Sequence, residues 1–303
     1  MRRIAVTGAT GLVGSVLVRE FAKAGHDVIG ISRAQHPAHS GSQTIPWDIE
    51  RQHIDVTELE GLDAIIHLAG ANIAAKRWSA SYKKDILESR TKTTAFLCRT
   101  LLKLKRPPKV FLSASAVGYY GQAKAEKTFN EDSPKGMGFL ADVCRAWEES
   151  SRPLQEAGIR TVHMRMGVVL SARGGALAKM LPVFLCGLGG VIGSGRQVMS
   201  WICVDEIPLI MTHVISDPRI AGAVNVVSPH AVSNKEFTRV LGQVLKRPVV
   251  LPLPALAVKI LFGEMGEELL LGGANVVPRR LLDSGYKFRY PDIEAALKKA
   301  LNG

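Results

Sequence analysis

Cysteine is scarce in this 303-residue chain: Cys98, Cys144, Cys186 and Cys203 stand far apart, and no two form a CxxC pair. Such spacing supports neither a zinc site nor a disulfide framework. The eight histidines show no HxxxH or HExxH spacing, so no metal is expected. Mean hydropathy is slightly positive, yet no uninterrupted apolar run is long enough to span a bilayer. The run nearest to one, residues 251–263, is broken by Pro252, Pro254 and Lys259. Arg2 and Arg3 lead straight into Ile4-Ala5-Val6 and a glycine loop. That start lacks the apolar core of a secretory signal and does not read as a cleaved transit peptide. A reducing cytoplasm and no membrane partner are the expectations.

A long basic block is also missing. Lys+Arg number 39 against 27 Asp+Glu, a net charge of +12, but the densest stretch is only Lys103-Leu104-Lys105-Arg106. Basic residues scattered this way read as a solvated surface, and no nucleic-acid partner is expected. Hydrophobic residues make up 47% and charged residues 22%, which excludes a disordered chain.

What is present is an alternation of short apolar runs with helical periods, the pattern of βαβ units and a parallel sheet. Strands are predicted over residues 4–7, 28–32, 44–47, 64–68, 110–113 and 161–170. Helices are predicted over 12–24, 82–104 and 139–157, and a loop over 34–43, where Pro37, Ser40, Gly41 and Ser42 fall. After Leu170 the pattern changes. Gly174-Gly175, Gly187, Gly189-Gly190, Gly193 and Gly195 mark loops that approach a ligand or another backbone. A further strand is expected over 223–227, and Ser233-Asn234-Lys235-Glu236 reads as a capping box opening a helix to Leu245. The expected fold is α/β. A Rossmann-type doubly wound parallel sheet spans 1–230, with a substrate-side loop at 171–200, and a smaller C-terminal module follows at 231–303.

Thr7-Gly8-Ala9-Thr10-Gly11-Leu12-Val13-Gly14 follows the first strand and opens a helix, a GxxGxxG spacing. Gly8 suits a tight turn, Gly11 lets backbone approach a pyrophosphate, and Gly14 lets helix and strand pack closely. Thr10 and Leu12 flank them where the helix N-terminus offers free N–H groups to phosphate. An NAD site wants an acidic residue at the end of the second strand; this chain has Ser32-Arg33. A guanidinium there binds a 2′-phosphate, which argues for NADP(H); the alternative is a solvated loop arginine. Asp27 comes too early to serve the ribose. Asp48, at the end of the third strand, either hydrogen-bonds the adenine amino group or starts a turn.

These residues, with His67-Leu68-Ala69-Gly70, resemble the short-chain dehydrogenase/reductase superfamily in its extended, nucleotide-sugar-epimerase-like form. The likeness is closer to an atypical subfamily of "epimerase family" proteins. It rests on Gly70-Ala71-Asn72-Ile73, Ser89-Arg90, the run from Gly189 to Gln197, Trp201-Ile202, Val277-Pro278 and Gly285-Tyr286-Lys287-Phe288. The last two fit that subfamily's C-terminal module of unknown role. The resemblance implies an NADP(H) site that includes Ser32, Arg33, Leu68, Ala69 and Arg90, with Asp85 and Val169 contributing. Gly70 ends the same strand turn. Arg90 reaches a phosphate or else pairs with Glu88 or Asp85 on its own helix. Extended members often pair through the long helix, which leaves a homodimer open.

The superfamily's chemistry uses a Ser, a Tyr acting as general acid/base, and a Lys four residues later. Ser115 resembles the Ser; the alternative is a strand-end serine bonding backbone. Where the Tyr and Lys should open the next helix, the chain reads Gly138-Phe139-Leu140-Ala141-Asp142-Val143-Cys144, with neither. Tyr119 or Tyr120 substitutes, or both line a pocket; Cys144 packs the helix. Arg196 binds an acidic substrate or bonds loop carbonyls, and Gln197 lies beside it. Trp78 is a pocket wall, while His213, Trp201 and Asp205 read as packed or structural. Two functions follow as expectations. One is an NADP(H)-dependent oxidoreductase or epimerase acting on a small polar molecule. The other is a non-catalytic NADP(H) sensor or regulator.

Overall fold

The computed structural model describes residues 1–33, 43–123 and 126–302. Apart from Gln43, the loop expected over 34–43 lies outside the described residues. In chain order the strands begin with β1 Arg3–Thr7, β2 Asp27–Ser32, β3 Gln43–Asp48, β4 His53–Ile54, β5 Ala64–His67 and β6 Val110–Ala116. They continue with β7 Thr128–Phe129, β8 Arg160–Met166, β9 Val168–Leu170, β10 Val198–Met199 and β11 Trp201–Cys203. The last are β12 Gly222–Val226, β13 Val232–Ser233 and β14 Asn275–Val276. The helices are α1 Leu12–Lys23, α2 Ala80–Leu101, α3 Phe139–Glu149, α4 Arg152–Glu156, α5 Gly175–Leu185 and α6 Ile207–Ser216. Then come α7 Asn234–Leu245, α8 Ala255–Phe262, α9 Glu264–Gly266, α10 Arg279–Asp283 and α11 Ile293–Asn302.

The eight-stranded sheet runs β12-β8-β6-β5-β1-β2-β3-β4. Every pairing in it is parallel except β3 with β4. β1 has β2 on one side and β5 on the other, so the chain reverses its direction of winding there. Such a switch point opens a crevice at the carboxyl ends of the strands, where α/β proteins bind ligands.

Both faces of the sheet are covered, as parallel strands require. Leu17, Val18 and Phe21 of α1 and Ile207, Ile210, Met211 and Val214 of α6 pack on one face. Phe96, Leu97 and Leu101 of α2 and Leu154 of α4 pack on the other. A separate core joins α5, α7 and α11 around β9 and β11 through Leu177, Phe184, Trp201, Phe237, Leu241 and Leu297.

Two expected elements prove to be pairs. The helix expected over 139–157 breaks at Ser150-Ser151, and α4 restarts with Pro153 in its first turn. The strand expected over 161–170 breaks at Gly167, where a Cβ would stand 2.6 Å from the Ser200 carbonyl oxygen. β8 stays in the main sheet while β9 leaves to pair with β11. Ser233 caps α7 as expected: its hydroxyl accepts from the Glu236 amide at 3.1 Å. The C-terminal segments fold back on the sheet domain. β13 pairs with β10 and β14 with β7, while Arg280 donates to the carbonyls of Ala221 and Ala223 beside β12.

Candidate functional site

The glycine loop joins β1 to α1 with its glycines packed closely on backbone. Gly8 has φ +66°, and a Cβ there would lie 3.1 Å from the Leu68 carbonyl carbon. A Cβ on Gly14 would lie 2.2 Å from the Gly8 oxygen, so helix and loop touch backbone to backbone. The Gly11 amide closes the turn onto the Gly8 oxygen at 2.9 Å. Gly11 is also the N-cap of α1, which has no side-chain cap. The first amides of that helix therefore face an exposed lip formed by Thr10 and Gly11. Leu12 packs against the start of α5, where a Cβ on Gly174 would come within 3.3 Å of its Cδ1.

Beneath this loop lies a buried polar brace that the sequence reading did not identify. The Thr7 hydroxyl accepts from the amides of Leu68 and Ala69 at 3.1 and 3.2 Å. Its one proton therefore goes to Nδ1 of His67, 2.8 Å away. The imidazole proton is left on Nε2, facing the Thr93 hydroxyl at 3.5 Å. Full burial pushes the His67 pKa down to about 3, so the ring is neutral. The brace holds the ends of β1 and β5, and with them the switch-point crevice, in register.

Around the crevice the expected cofactor residues divide. Ser32 ends β2 and Arg33 is exposed directly after it. Leu68, Ala69 and Gly70 line the turn after β5, and Val169 sits in β9 against the same core as Leu68. Asp48 starts a turn: its carboxylate accepts from the Arg51 amide at 2.9 Å. Asp85 is exposed on α2. Arg90 does not pair with an acidic neighbour, since Glu88 is engaged by Lys92 and Lys84. Its guanidinium instead donates to the carbonyls of Ile86 and Ala71, each at 3.0 Å, and stacks on Trp147. Burial lowers its pKa. Arg90 thereby ties the loop after Gly70 to α2. Ser89 assists by accepting from the Ala71 amide at 3.0 Å, and the Tyr82 hydroxyl donates to the Asn72 carbonyl. Lys179 of α5 reaches the Ala74 carbonyl at 2.7 Å from the opposite side. Trp78 donates to the Ile73 carbonyl and meets Phe139 edge to face.

The catalytic candidates meet a charged cluster that the sequence reading missed. Ser115 is 2% exposed, and its hydroxyl donates to Glu148 at 2.7 Å. Glu148 takes both Nε and Nη2 of Arg165, each at 2.9 Å. Burial works against the charge on Arg165, but this two-point contact outweighs it and holds the guanidinium firmly protonated. The same guanidinium donates to the Tyr120 hydroxyl at 3.0 Å and lies 3.4 Å over the Tyr119 ring. Tyr120 in turn donates to Asn225 at 2.7 Å, and burial pushes its pKa up to about 12. Of the two phenols, Tyr120 is thus sealed, while Tyr119 stays half-buried with its ring clamped. The signal for the cluster was an arginine inside the apolar strand Val162-His163-Met164-Arg165-Met166, since such a charge is buried only with a partner.

At α3, Leu140 and Cys144 project together toward the strand end. A Cβ on Gly118 would meet the Leu140 Cβ at 3.2 Å and the Cys144 sulfur at 3.8 Å. Burial pushes the Cys144 thiol up to about 11. Glu268 lies against the start of this helix, its Oε1 2.9 Å from where a Gly138 Cβ would stand. Burial raises its pKa, and the amides of Leu140 and Phe139 pull the other way.

On the substrate-side loop, Gln197 spends both amide protons on the carbonyls of Ile192 and Leu270, at 2.9 and 3.0 Å. Arg196 is exposed at the loop surface. Trp201 is buried and donates to the His230 carbonyl, and His213 bonds Ser284, both as expected for structural residues.

Residues 4–228 match the model of the NAD dependent epimerase/dehydratase family. Residues 253–300 match a domain of unknown function, DUF1731. Epimerase family protein Mb2239 of Mycobacterium bovis is 39% identical over 97% of this chain and 96% of its own. The human epimerase family protein SDR39U1 is 36% identical over 98% of this chain and 99% of its own. The crystal structure of human SDR39U1 (isoform 2) with NADPH superposes with a TM-score of 0.88 at 35% identity, covering 99% of this chain and 100% of that one. On these matches, the chain belongs to the NAD dependent epimerase/dehydratase family.

Proposed function

We propose that the protein binds NADP(H) and exchanges hydride with a small polar carbonyl or alcohol substrate. The observation that carries this reading is the glycine loop. Gly14 has no space for a Cβ, Gly8 holds a positive φ, and the loop opens an uncapped helix at the switch point. Gly8, Thr10, Gly11, Leu12 and Gly14 would hold the pyrophosphate, and Ser32 and Arg33 the 2′-phosphate. Leu68, Ala69, Gly70 and Val169 would line the nicotinamide side. The related human protein crystallised with NADPH supports the phosphorylated form. When bound, the nicotinamide supplies or accepts a hydride. The chain itself must then deliver or remove one proton at the substrate oxygen. Tyr119 is the phenol suited to that role, because Tyr120 is buried and bonded on both sides. Ser115, 2% exposed with its proton on Glu148, would have to leave that carboxylate to orient the substrate oxygen, and Arg196 would meet an acidic substituent. We place this activity in a reducing cytoplasm, in keeping with four free cysteines. We also keep a division near residue 230 between nucleotide domain and C-terminal module.

A second reading, a nucleotide sensor without turnover, is favoured by one observation. Leu140 and Cys144 share the α3 face that meets the strand end, and the superfamily's Tyr and Lys are absent. NADPH oxidation across a panel of small carbonyl compounds separates the two. Turnover that is lost in Tyr119→Phe supports the enzyme. Tight nucleotide binding with no turnover on any compound supports the sensor.

A further inference from the structure

The C-terminal half carries an apolar surface that none of this chemistry uses. Val250, Leu251, Leu256, Ile260 and Leu261 are 71%, 50%, 68%, 64% and 61% exposed. Of the eight residues of α8, only Val258 is buried. Leu185 and Leu188, at the end of α5 and just beyond it, are also half exposed. Backbone bonds join these segments into one surface. The Leu251 amide donates to Gly189, the Leu253 amide to Val191 and the Gly193 amide to Leu253, at 3.4, 2.9 and 2.9 Å. Arg247 Nε donates to the Leu185 carbonyl at 2.9 Å.

Basic residues flank the same strip. Residues 246–262 hold Lys246, Arg247 and Lys259 and no acidic residue, and Glu264, Glu267 and Glu268 follow directly. Lys246 and Arg247 are exposed beside Val250, and Lys259 lies between the exposed residues of α8. Lys259 also reaches Glu267 at 2.9 Å, which leaves Lys246 and Arg247 as the stronger cations of the rim.

We propose that this face docks on an anionic lipid bilayer surface. α8 and the proline-punctuated segment 248–254 enter the headgroup boundary, and the rim cations meet lipid phosphates. An exposed apolar strip flanked by basic residues supplies both attractions that interfacial binding uses. A second copy of the chain would bring its own positive charge to the same face, which disfavours self-association there. Among the described residues no helix is long and apolar enough to cross a membrane, and the proposed contact is interfacial. This proposal departs from the expectation of no membrane partner and gives Lys246, Arg247 and Lys259 an anionic partner.

The test is co-sedimentation of the full chain with vesicles of phosphatidylcholine alone or mixed with phosphatidylglycerol. The protein should pellet with the anionic vesicles and only weakly with the neutral ones. Leu256→Glu with Ile260→Glu should abolish pelleting while circular dichroism stays unchanged, since both side chains are exposed. Lys246→Asn removes a charge at a left-handed residue that asparagine tolerates; it should weaken binding about fivefold. No pelleting with anionic vesicles, or pelleting that survives the double glutamate variant, overturns the proposal. So does a concentration-dependent dimer, seen by sedimentation velocity without vesicle binding and lost in that variant.

Discussion

Ser115 donates its hydroxyl to Glu148 across 2.7 Å, and Glu148 grips Arg165 with both of its oxygens. A strand-end hydroxyl, a helix carboxylate and a strand arginine are thus one buried unit beside the crevice. Removing one partner of a buried pair strands the other charge, at about 3–5 kcal/mol. Glu148→Ala should lose that much stability, read as a lower urea midpoint with unchanged slope. Ser115→Ala, which leaves the ion pair whole, should lose less, about 1.5–3 kcal/mol for a hydrogen bond to a charged group.

The His67 brace gives stability a pH dependence of definite sign. Its pKa is near 3 folded against 6.5 unfolded, so between those values the unfolded chain binds the extra proton. Stability is full above about pH 6.5 and falls on acidification, by about 1.4 kcal/mol per pH unit from this group. Buried His163, also lowered by burial, adds in the same direction. Urea titrations from pH 7 to about pH 4 should show the slope, and His67→Gln should flatten it.

Gly14→Ala tests the backbone contact in the glycine loop. Its new methyl would start 2.2 Å from the Gly8 oxygen, so the loop must move off the helix. Overpacking of this kind costs about 1–3 kcal/mol. Calorimetric titration should show that NADPH and NADH both lose affinity, while circular dichroism keeps the native helix signal.

Much of this was legible locally. The βα alternation and the glycine loop come from short-range periodicity and from a turn that only glycine fits. What was not legible depends on partners distant in sequence. β14 finds β7 across the chain, Asn275 against Thr128, and two residues of pairing leave no pattern. Arg90 was expected to bond phosphate or a carboxylate and bonds loop carbonyls instead, because a tertiary turn brings Ala71 over α2. Gly167 looked like a residue within one strand, but the approach of Ser200 makes it the point where two sheets separate. The Glu148–Arg165 pair left one trace, an arginine between methionines in a buried strand.

The central claim is that Arg33, at the end of β2, selects the phosphorylated dinucleotide. Calorimetric titration of the wild-type chain and Arg33→Ala with NADPH and NADH tests it directly. A charge-assisted contact is worth about 1.5–3 kcal/mol. NADPH should therefore bind the wild type roughly ten- to a hundredfold more tightly than the variant, with NADH affinity unchanged. Equal affinities of the wild type for NADPH and NADH would contradict the account.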